Sequence, residues 1–324
     1  MDKIKIGIVG YGNLGQGVEV GLKNHPDMEL VGIFSRRDPK TLNTQTPAYL
    51  LQDILNFKDK IDVLILCGGS KTDIPKQGPS LIEHFNTVDA YDIHAEIPKY
   101  YNKMNLLAKE NQKVAVISTG WDPGLFSMNR LMQEAILPDG KSYTFWGRGV
   151  SQGHSDAVRR VKGVKEAAQY TVPDEMMINK ILAGEAVDYN QKDAHNREVY
   201  VVLEEDANPT EVEDEIKEMP NYFAGYQTGV SFISEEEFKA EHQKMPHGGR
   251  VIRQGKTSDD AVSIIDFSLS LESNPEFTAA VNIAYARAAY KLSQTKEYGA
   301  KTVLDIPPYY LSSKTREELM RDLL

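Results

Sequence analysis

The tightest constraint on this chain lies in its first two dozen residues. An apolar run, Ile4 to Val9, meets the turn Gly10-Tyr11-Gly12-Asn13-Leu14-Gly15, and a helix-like segment follows from Leu14 to Lys23. Glycines at the first, third and sixth positions of such a turn serve three purposes. Gly10 permits the tight turn, Gly12 lets a ligand approach the backbone, and Gly15 lets the helix lie close on the strand. A glycine pattern alone is weak evidence, but a strand before it and a helix after it supply the confirming context. The start of that helix offers amide groups and the positive end of a dipole, which suit a pyrophosphate. A dinucleotide-binding domain is expected here.

The alternation continues down the first third of the chain. Glu29 to Phe34 reads as a second strand, broken by Ser35-Arg36-Arg37-Asp38-Pro39, and Ile61 to Leu66 as a third, ending at Cys67-Gly68-Gly69-Ser70. Helical text from Ile74 to Phe85 precedes a strand at Thr87 to Tyr91. A helix around Tyr100 to Glu110 then leads to a strand from Lys113 to Ser118. Strands alternating with helices imply right-handed crossovers and a parallel sheet. The expected fold class is therefore α/β, a Rossmann-type doubly wound parallel sheet.

The rhythm changes after Thr119-Gly120-Trp121-Asp122-Pro123-Gly124. A helix around Leu125 to Ala135 is followed by Tyr143 to Trp146, then by longer strands at Arg197 to Leu203, Gly229 to Ile233 and Val262 to Leu271. These predict an inserted α+β domain. The acidic runs Glu211 to Glu218 and Glu235 to Glu237 read as solvated helix faces rather than metal sites. An amphipathic helix at Thr278 to Leu292, a late strand at Thr302 to Ile306 and a closing helix complete the chain. Residues 1–120 with 298–324 are expected to form the nucleotide-binding domain, and 121–297 a region for substrate binding and dimerisation.

Charge and cysteine use narrow the partners. Lysine and arginine number 37 against 47 acidic residues, a formal charge of −10. That balance argues against nucleic acid or an anionic membrane, so an anionic ligand must be held by local donors. Cys67 is the sole cysteine, which rules out an intrachain disulfide and fits a reducing compartment. No secretory signal is expected from the residues before Ile4, and no stretch approaches the roughly 18 apolar residues of a membrane span. A cytoplasmic location is expected. No His/Cys spacing suggests zinc, and no metal is expected.

The end of the second strand distinguishes the cofactor. Enzymes that use NAD usually place Asp or Glu there to bind the ribose 2′-hydroxyl. This chain has Ser35, Arg36 and Arg37 instead, and guanidinium groups bind a 2′-phosphate that a carboxylate would repel. NADP is the expected cofactor. Its contacts are expected from Gly10, Tyr11, Gly12, Asn13 and Leu14, from Ser35, Arg36 and Arg37, and from Cys67, Gly68, Gly69, Ser70 and Thr72. Ala90, Tyr91 and Asp92, with Trp121, Asp122, Pro123 and Gly124, complete the set.

The reacting end should lie beyond the carboxyl ends of the strands. Asp92 and Asp122 both follow strands there and suit a positively charged substrate amine, although each equally suits turn and cap duty. Cys67 reads as a small strand-end residue rather than a nucleophile. His94 is a general base or an ordinary loop histidine, and His154 and His247 fall in Gly-containing loops. The Glu-Lys-Pro of sugar dehydrogenases with this architecture is missing; Glu96-Ile97-Pro98 stands nearby instead.

Several segments together resemble the meso-diaminopimelate dehydrogenase family. They are Gly10 to Gly15, Ser118-Thr119-Gly120-Trp121-Asp122-Pro123-Gly124, and Trp146-Gly147-Arg148-Gly149-Val150-Ser151-Gln152-Gly153-His154-Ser155-Asp156-Ala157. Met219 to Phe223, Met245 to Gly249 and Ser273 to Thr278 extend the resemblance to essentially the whole chain. It implies NADP-dependent, reversible oxidative deamination at the D-centre of meso-2,6-diaminopimelate, giving L-2-amino-6-oxopimelate, ammonia and NADPH. It also implies that Asp92 and Asp122 contact the reacting amino-acid centre, with Trp121 and Trp146 walling the pocket. Ser151, Gln152 and Gly153 would lie along the substrate, with Asp156 close by. Thr171, Arg197 and His247 would hold the distal L-centre carboxylate, Asn274 would add a polar contact, and the chain would be a homodimer.

The residue chemistry agrees with that implication. Unequal polar sets at the two ends of a meso substrate tell its stereocentres apart, because a reversed substrate leaves buried groups unpaired. Which group moves the amine proton stays open between Asp92 and Asp122, directly or through water. Two other readings remain: a related NADP-dependent D-amino acid dehydrogenase of broader specificity, and a non-catalytic NADP-sensing protein.

Overall fold

Strand β1 (Ile4–Val9) is buried along almost its whole length, and the turn after it feeds α1 (Asn13–Leu22). The structure, a computed structural model, describes residues 3–324. Gly10 has φ +91°, a conformation glycine reaches without strain. A Cβ on Gly15 would lie 2.3 Å from the Gly10 carbonyl oxygen, so the helix could not approach its strand with a side chain there. Next come β2 (Met28–Ser35), the short β3 (Ala48–Leu50), β4 (Val63–Leu66), α2 (Ile74–Leu81), β5 (Asn86–Asp89), α3 (Ile97–Glu110) and β6 (Val114–Val116). The edge strand β3 was not expected.

Register aligns the functional ends of these strands. Val9 pairs with both Phe34 and Leu66, and Leu66 pairs with Asp89. Gly10, Ser35, Cys67 and Ala90 therefore emerge along one rim of the sheet. Two strands are shorter than expected. That at Thr87 to Tyr91 stops at Asp89, whose carboxylate accepts the Tyr91 amide and turns the chain outward. That at Lys113 to Ser118 pairs only through Val116, and Ser118 takes φ +58°.

Helix α4 (Leu125–Ile136) carries the chain into a second compact unit, residues 129–274. It contains β7 (Gly140–Trp146), β8 (Gly149–Val150), α5 (Gln152–Val158), β9 (Val164–Pro173), α6 (Glu175–Leu182) and β10 (His195–Leu203). Then follow α7 (Pro209–Glu218), β11 (Thr228–Phe232), α8 (Glu235–Glu241), β12 (His247–Ser258) and β13 (Ala261–Leu271). Four strands form a sheet in the order β11-β10-β9-β8, and three form another, β13-β12-β7. Valines 164, 199, 201 and 212 with Ile216 and Phe223 bury one core, and each such side chain contributes about 1.5–3 kcal/mol. The acidic runs are solvated faces of α7 and α8, with Val212, Ile216 and Phe238 turned inward.

Two histidines lie elsewhere than expected. His154 sits within α5 and His247 opens β12, so neither belongs to a loop. The segment from Lys256 to Val262 is a hairpin whose strands pair as far as Ser258 and Ala261.

The return begins earlier than residue 298. The first unit comprises residues 1–128 and 275–324, so nearly all of α9 (Asn274–Gln294) belongs with β1. Ala279, Ile283, Ala286 and Leu292 of α9 bury against Ile6, Ile8 and Val18, which explains the amphipathic pattern. Arg287 anchors the helix to the Asp27 carboxylate at 2.6 and 2.8 Å and to the Leu311 carbonyl at 2.7 Å. Strand β14 (Gly299–Lys301) then completes a seven-stranded sheet in the order β14-β6-β5-β4-β1-β2-β3. Every pairing in it is parallel. The strand expected at Thr302 to Ile306 is a turn, because Asp305 accepts both the amide and the hydroxyl of Thr302 at 2.8 Å. Helix α10 (Arg316–Leu323) closes the chain with a reciprocal Thr315–Glu318 cap. Among the described residues, no helix is long and apolar enough to cross a membrane.

Candidate active site

In the first unit, a cavity of about 320 Å³ opens at the rim where β1, β2 and β4 end. Gly10, Tyr11, Gly12, Ser35, Arg36, Arg37, Cys67, Gly68 and Gly69 line it, all expected cofactor contacts. Leu51, Asp73 and Gln77 also line it and were not foreseen. Apart from its chain neighbours, nothing lies within 4 Å of the place a Gly12 Cβ would occupy, and α1 has no side-chain cap, so the helix start faces open space. This donor set fits a dinucleotide pyrophosphate.

The arginines are held at the cavity edge. The Arg37 guanidinium donates to the Tyr11 carbonyl, and the Arg37 amide donates to Ser35 Oγ at 3.1 Å. Arg36, largely exposed, pairs with Asp73 at 2.9 Å. Asp73 also accepts the Gly69 amide at 3.2 Å, linking the second and fourth strand ends. Burial pushes the Cys67 thiol far above its ordinary range, so it stays a neutral, poor nucleophile.

The loops after β5 and β6 carry the two expected carboxylates. Asp92 is exposed, and its amide donates to Ser70 Oγ at 3.3 Å. Asp122 is half-buried beside Trp121, whose ring meets Phe126 edge-on at 5.2 Å. Beneath them lies Asp89, which the sequence did not single out; burial raises its carboxyl to about 6 against three donated hydrogen bonds.

In the second unit, sheet register assembles the expected distal set. Gly149 pairs with Thr171, and Thr171 pairs with Arg197, so three neighbouring strands supply one row. Arg197 donates to the Thr171 hydroxyl, stacks on Tyr226 at 4.3 Å, and keeps a buried Nε with no acceptor. The His247 ring covers Gly149, where a Cβ would lie 2.3 Å from His247 Cγ. Ser151 Oγ meets His154 Nδ1 at 2.8 Å. Burial, with Arg197 nearby, holds the His154 imidazole down at about 4, so it is neutral near pH 7.

Other expected residues lie in the same unit with different partners. Gln152 Nε2 meets Met245 Sδ at 3.0 Å, and the Asn274 amide donates to the Met245 carbonyl at 2.9 Å. A Cβ on Gly153 would meet no other group within 4 Å, which leaves open space there. Asp156 is exposed and pairs with Arg159 on its own helix. The Trp146 amide donates to His195 Nε2 at 2.9 Å, which leaves His195 Nδ1 to donate to the Gln191 carbonyl, also at 2.9 Å. His195 and Tyr226 carried no sequence signal, because Trp146 and Arg197, which they meet, lie far from them along the chain. No group of three or more potential metal ligands occurs among the described residues.

Residues 120–273 match the family described as Diaminopimelic acid dehydrogenase C-terminal domain. A meso-diaminopimelate D-dehydrogenase of Ureibacillus thermosphaericus is 57% identical over 326 residues, covering 100% of both chains. The chain belongs to the meso-diaminopimelate D-dehydrogenase family. A multiply substituted Clostridium tetani meso-diaminopimelate dehydrogenase with DAP bound has a TM-score of 0.93 at 50% identity, covering 99% of this chain and 100% of that one. An engineered D-amino acid dehydrogenase bound to NADP+ has a TM-score of 0.85 at 44% identity, covering 99% and 100%. Membership of the meso-diaminopimelate D-dehydrogenase family accounts for both units, since these likenesses run the length of the chain.

Proposed function

We infer that this chain carries out the NADP-dependent, reversible oxidative deamination of meso-2,6-diaminopimelate at its D-centre. The products are L-2-amino-6-oxopimelate, ammonia and NADPH. The observation that carries the reading is the Arg197 guanidinium, aimed by Thr171 and Tyr226 with Nε buried and unpaired. A buried donor without an acceptor is costly, and a carboxylate gripped bidentately relieves it. Full-length identity to meso-diaminopimelate D-dehydrogenases narrows the carboxylate to that of diaminopimelate.

The roles follow from residue chemistry. Thr171, Arg197 and His247 hold the L-centre carboxylate, while Ser151, Gln152, Gly153 and Asn274 line the carbon chain. Asp156 lies nearby but spends its charge on Arg159. Asp92 and Asp122 favour the D-centre ammonium, and one of them accepts the amine proton, directly or through water. Trp121, packed edge-on against Phe126, walls the reacting region in the first unit, and Trp146 serves the substrate side of the second. Bound NADP supplies the two-electron acceptor for the D-centre C–H bond, and Arg36 and Arg37 select it over NAD. Water then replaces nitrogen at the oxidised carbon and ammonia leaves.

Six side-chain positions support the substrate assignment. The Clostridium tetani mutant is substituted at a Gln, a Thr, an Arg, a Pro, a His and an Asn. Their spacing matches that of Gln152, Thr171, Arg197, Pro246, His247 and Asn274. The reading further takes the protein as a cytoplasmic homodimer. Leu131, Met132 and Ile136, exposed on α4 at 49%, 52% and 63%, are apolar surface that a second copy would cover. Turnover of meso-diaminopimelate with NADP, releasing one ammonia per NADPH, tests the reaction. Tight NADPH binding with no turnover of any amino acid would instead support an NADP-sensing protein.

A further inference from the structure

Asp89 is fully buried at the end of β5 and has no role in the chemistry above. A carboxylate in such a place costs more than an apolar side chain of similar size, unless its hydrogen bonds do something an apolar group cannot. Its Oδ1 accepts the Tyr91 amide at 3.0 Å and the Ser118 amide at 3.2 Å. Its Oδ2 accepts the Tyr100 hydroxyl from α3 at 2.9 Å. The Asp89 carbonyl takes the Thr119 amide at 2.9 Å and the Thr119 hydroxyl at 3.0 Å. Thr119 Oγ1 also meets the Asn282 side-chain amide of α9. Tyr91 immediately precedes Asp92, and Ser118 and Thr119 open the segment that carries Trp121 and Asp122. One carboxylate oxygen thus joins the roots of both loops that bear the reacting-end aspartates.

We propose that Asp89 is a positioning residue for the deamination, its Oδ1 setting the spacing of the Asp92 and Asp122 loops. The proposal rests on the roles assigned to those two aspartates. Placement matters at this level, since an error of about 1 Å at a reacting group costs on the order of a hundredfold in rate.

Three variants of the full chain test it: Asp89→Leu, Asp89→Asn and Tyr100→Phe. Leucine fills the space but accepts nothing. Asparagine keeps Oδ1 for both amides and turns its NH2 toward the Tyr100 oxygen. Tyr100→Phe removes only the Oδ2 donor. The expected result is a fall in kcat of about ten- to a hundredfold for Asp89→Leu. Its NADPH affinity, read at the glycine turn after β1, should stay close to wild type, while its melting temperature falls because three buried donors lose their acceptor. Asp89→Asn and Tyr100→Phe should retain kcat within a few-fold. Normal kcat in Asp89→Leu would overturn the proposal. Parallel loss of kcat, NADPH affinity and melting temperature would also overturn it, by making Asp89 a general structural support. Failure of Asp89→Leu to fold, beside a normal Asp89→Asn, would have the same meaning. Absence of meso-diaminopimelate turnover in the wild type would instead remove the underlying reading of the reaction.

Discussion

Arg197 and Thr171 face each other in direct register on antiparallel β10 and β9, and the guanidinium donates to the threonine hydroxyl. Tyr226 covers its face at 4.3 Å, so the group is aimed before a ligand arrives. Arg197→Met should raise KM for meso-diaminopimelate by about two orders of magnitude, as expected when one partner of a buried charge pair is lost. NADPH affinity should stay within a few-fold. Arg197→Lys should recover only part of the loss, because an ammonium lacks the planar fork. Steady-state kinetics with NADPH titration check this; an unchanged KM would contradict it.

The cofactor preference rests on Arg36 and Arg37 at the edge of the 320 Å³ cavity. A hydrogen bond to a charged group contributes about 1.5–3 kcal/mol. The double variant Arg36→Ala/Arg37→Ala should therefore weaken NADP at least about tenfold more than NAD. Equal losses for the two cofactors would show that these arginines do not read the 2′-phosphate.

Acid sensitivity follows from His154. Its native imidazole titrates at about 4, below the ordinary value near 6.5. Between those values the unfolded chain binds a proton that the native state refuses, so stability falls as pH is lowered through the window. His25, His195, His242 and His247 are all shifted the same way by burial and add to the effect. Melting temperature should drop on going from about pH 7 to about pH 5, and His154→Gln should make the drop shallower. Identical slopes would contradict the assignment to this residue.

Self-association is tested on α4. Ile136 is 63% exposed, so a charge there costs the folded subunit little. The wild type should run as a dimer in light scattering, and Ile136→Glu should shift it towards monomer with its melting curve nearly unchanged. A monomeric wild type would contradict the homodimer.

The parallel sheet and the nucleotide end were legible because their signals are local. The strand, the glycine turn and the helix follow one another without interruption, and Ser35-Arg36-Arg37 sit directly on a strand end. The second unit was less legible. Strand β9 mixes Lys165, Glu166 and Gln169 into its apolar positions, and β12 carries three glycines with several charges. The buried Arg253 of β12 is satisfied by the Leu137 and Pro138 carbonyls and by Ser142, more than a hundred residues away. No sequence window contains those acceptors. Asp89 was missed for the same reason, since its donors come from three separate segments. The distal set of Thr171, Arg197 and His247 was named through family likeness, and sheet register supplies the physical reason Thr171 and Arg197 meet.

The most direct measurement is one panel of initial rates, with NAD and NADP against meso-, LL- and DD-diaminopimelate and simple D-amino acids. Reduction should be strong with meso-diaminopimelate and NADP. It should be absent with the LL isomer, which has no D-centre, and weak with simple D-amino acids, which leave Arg197 without its carboxylate. Strong activity on the LL isomer with none on meso would contradict the account.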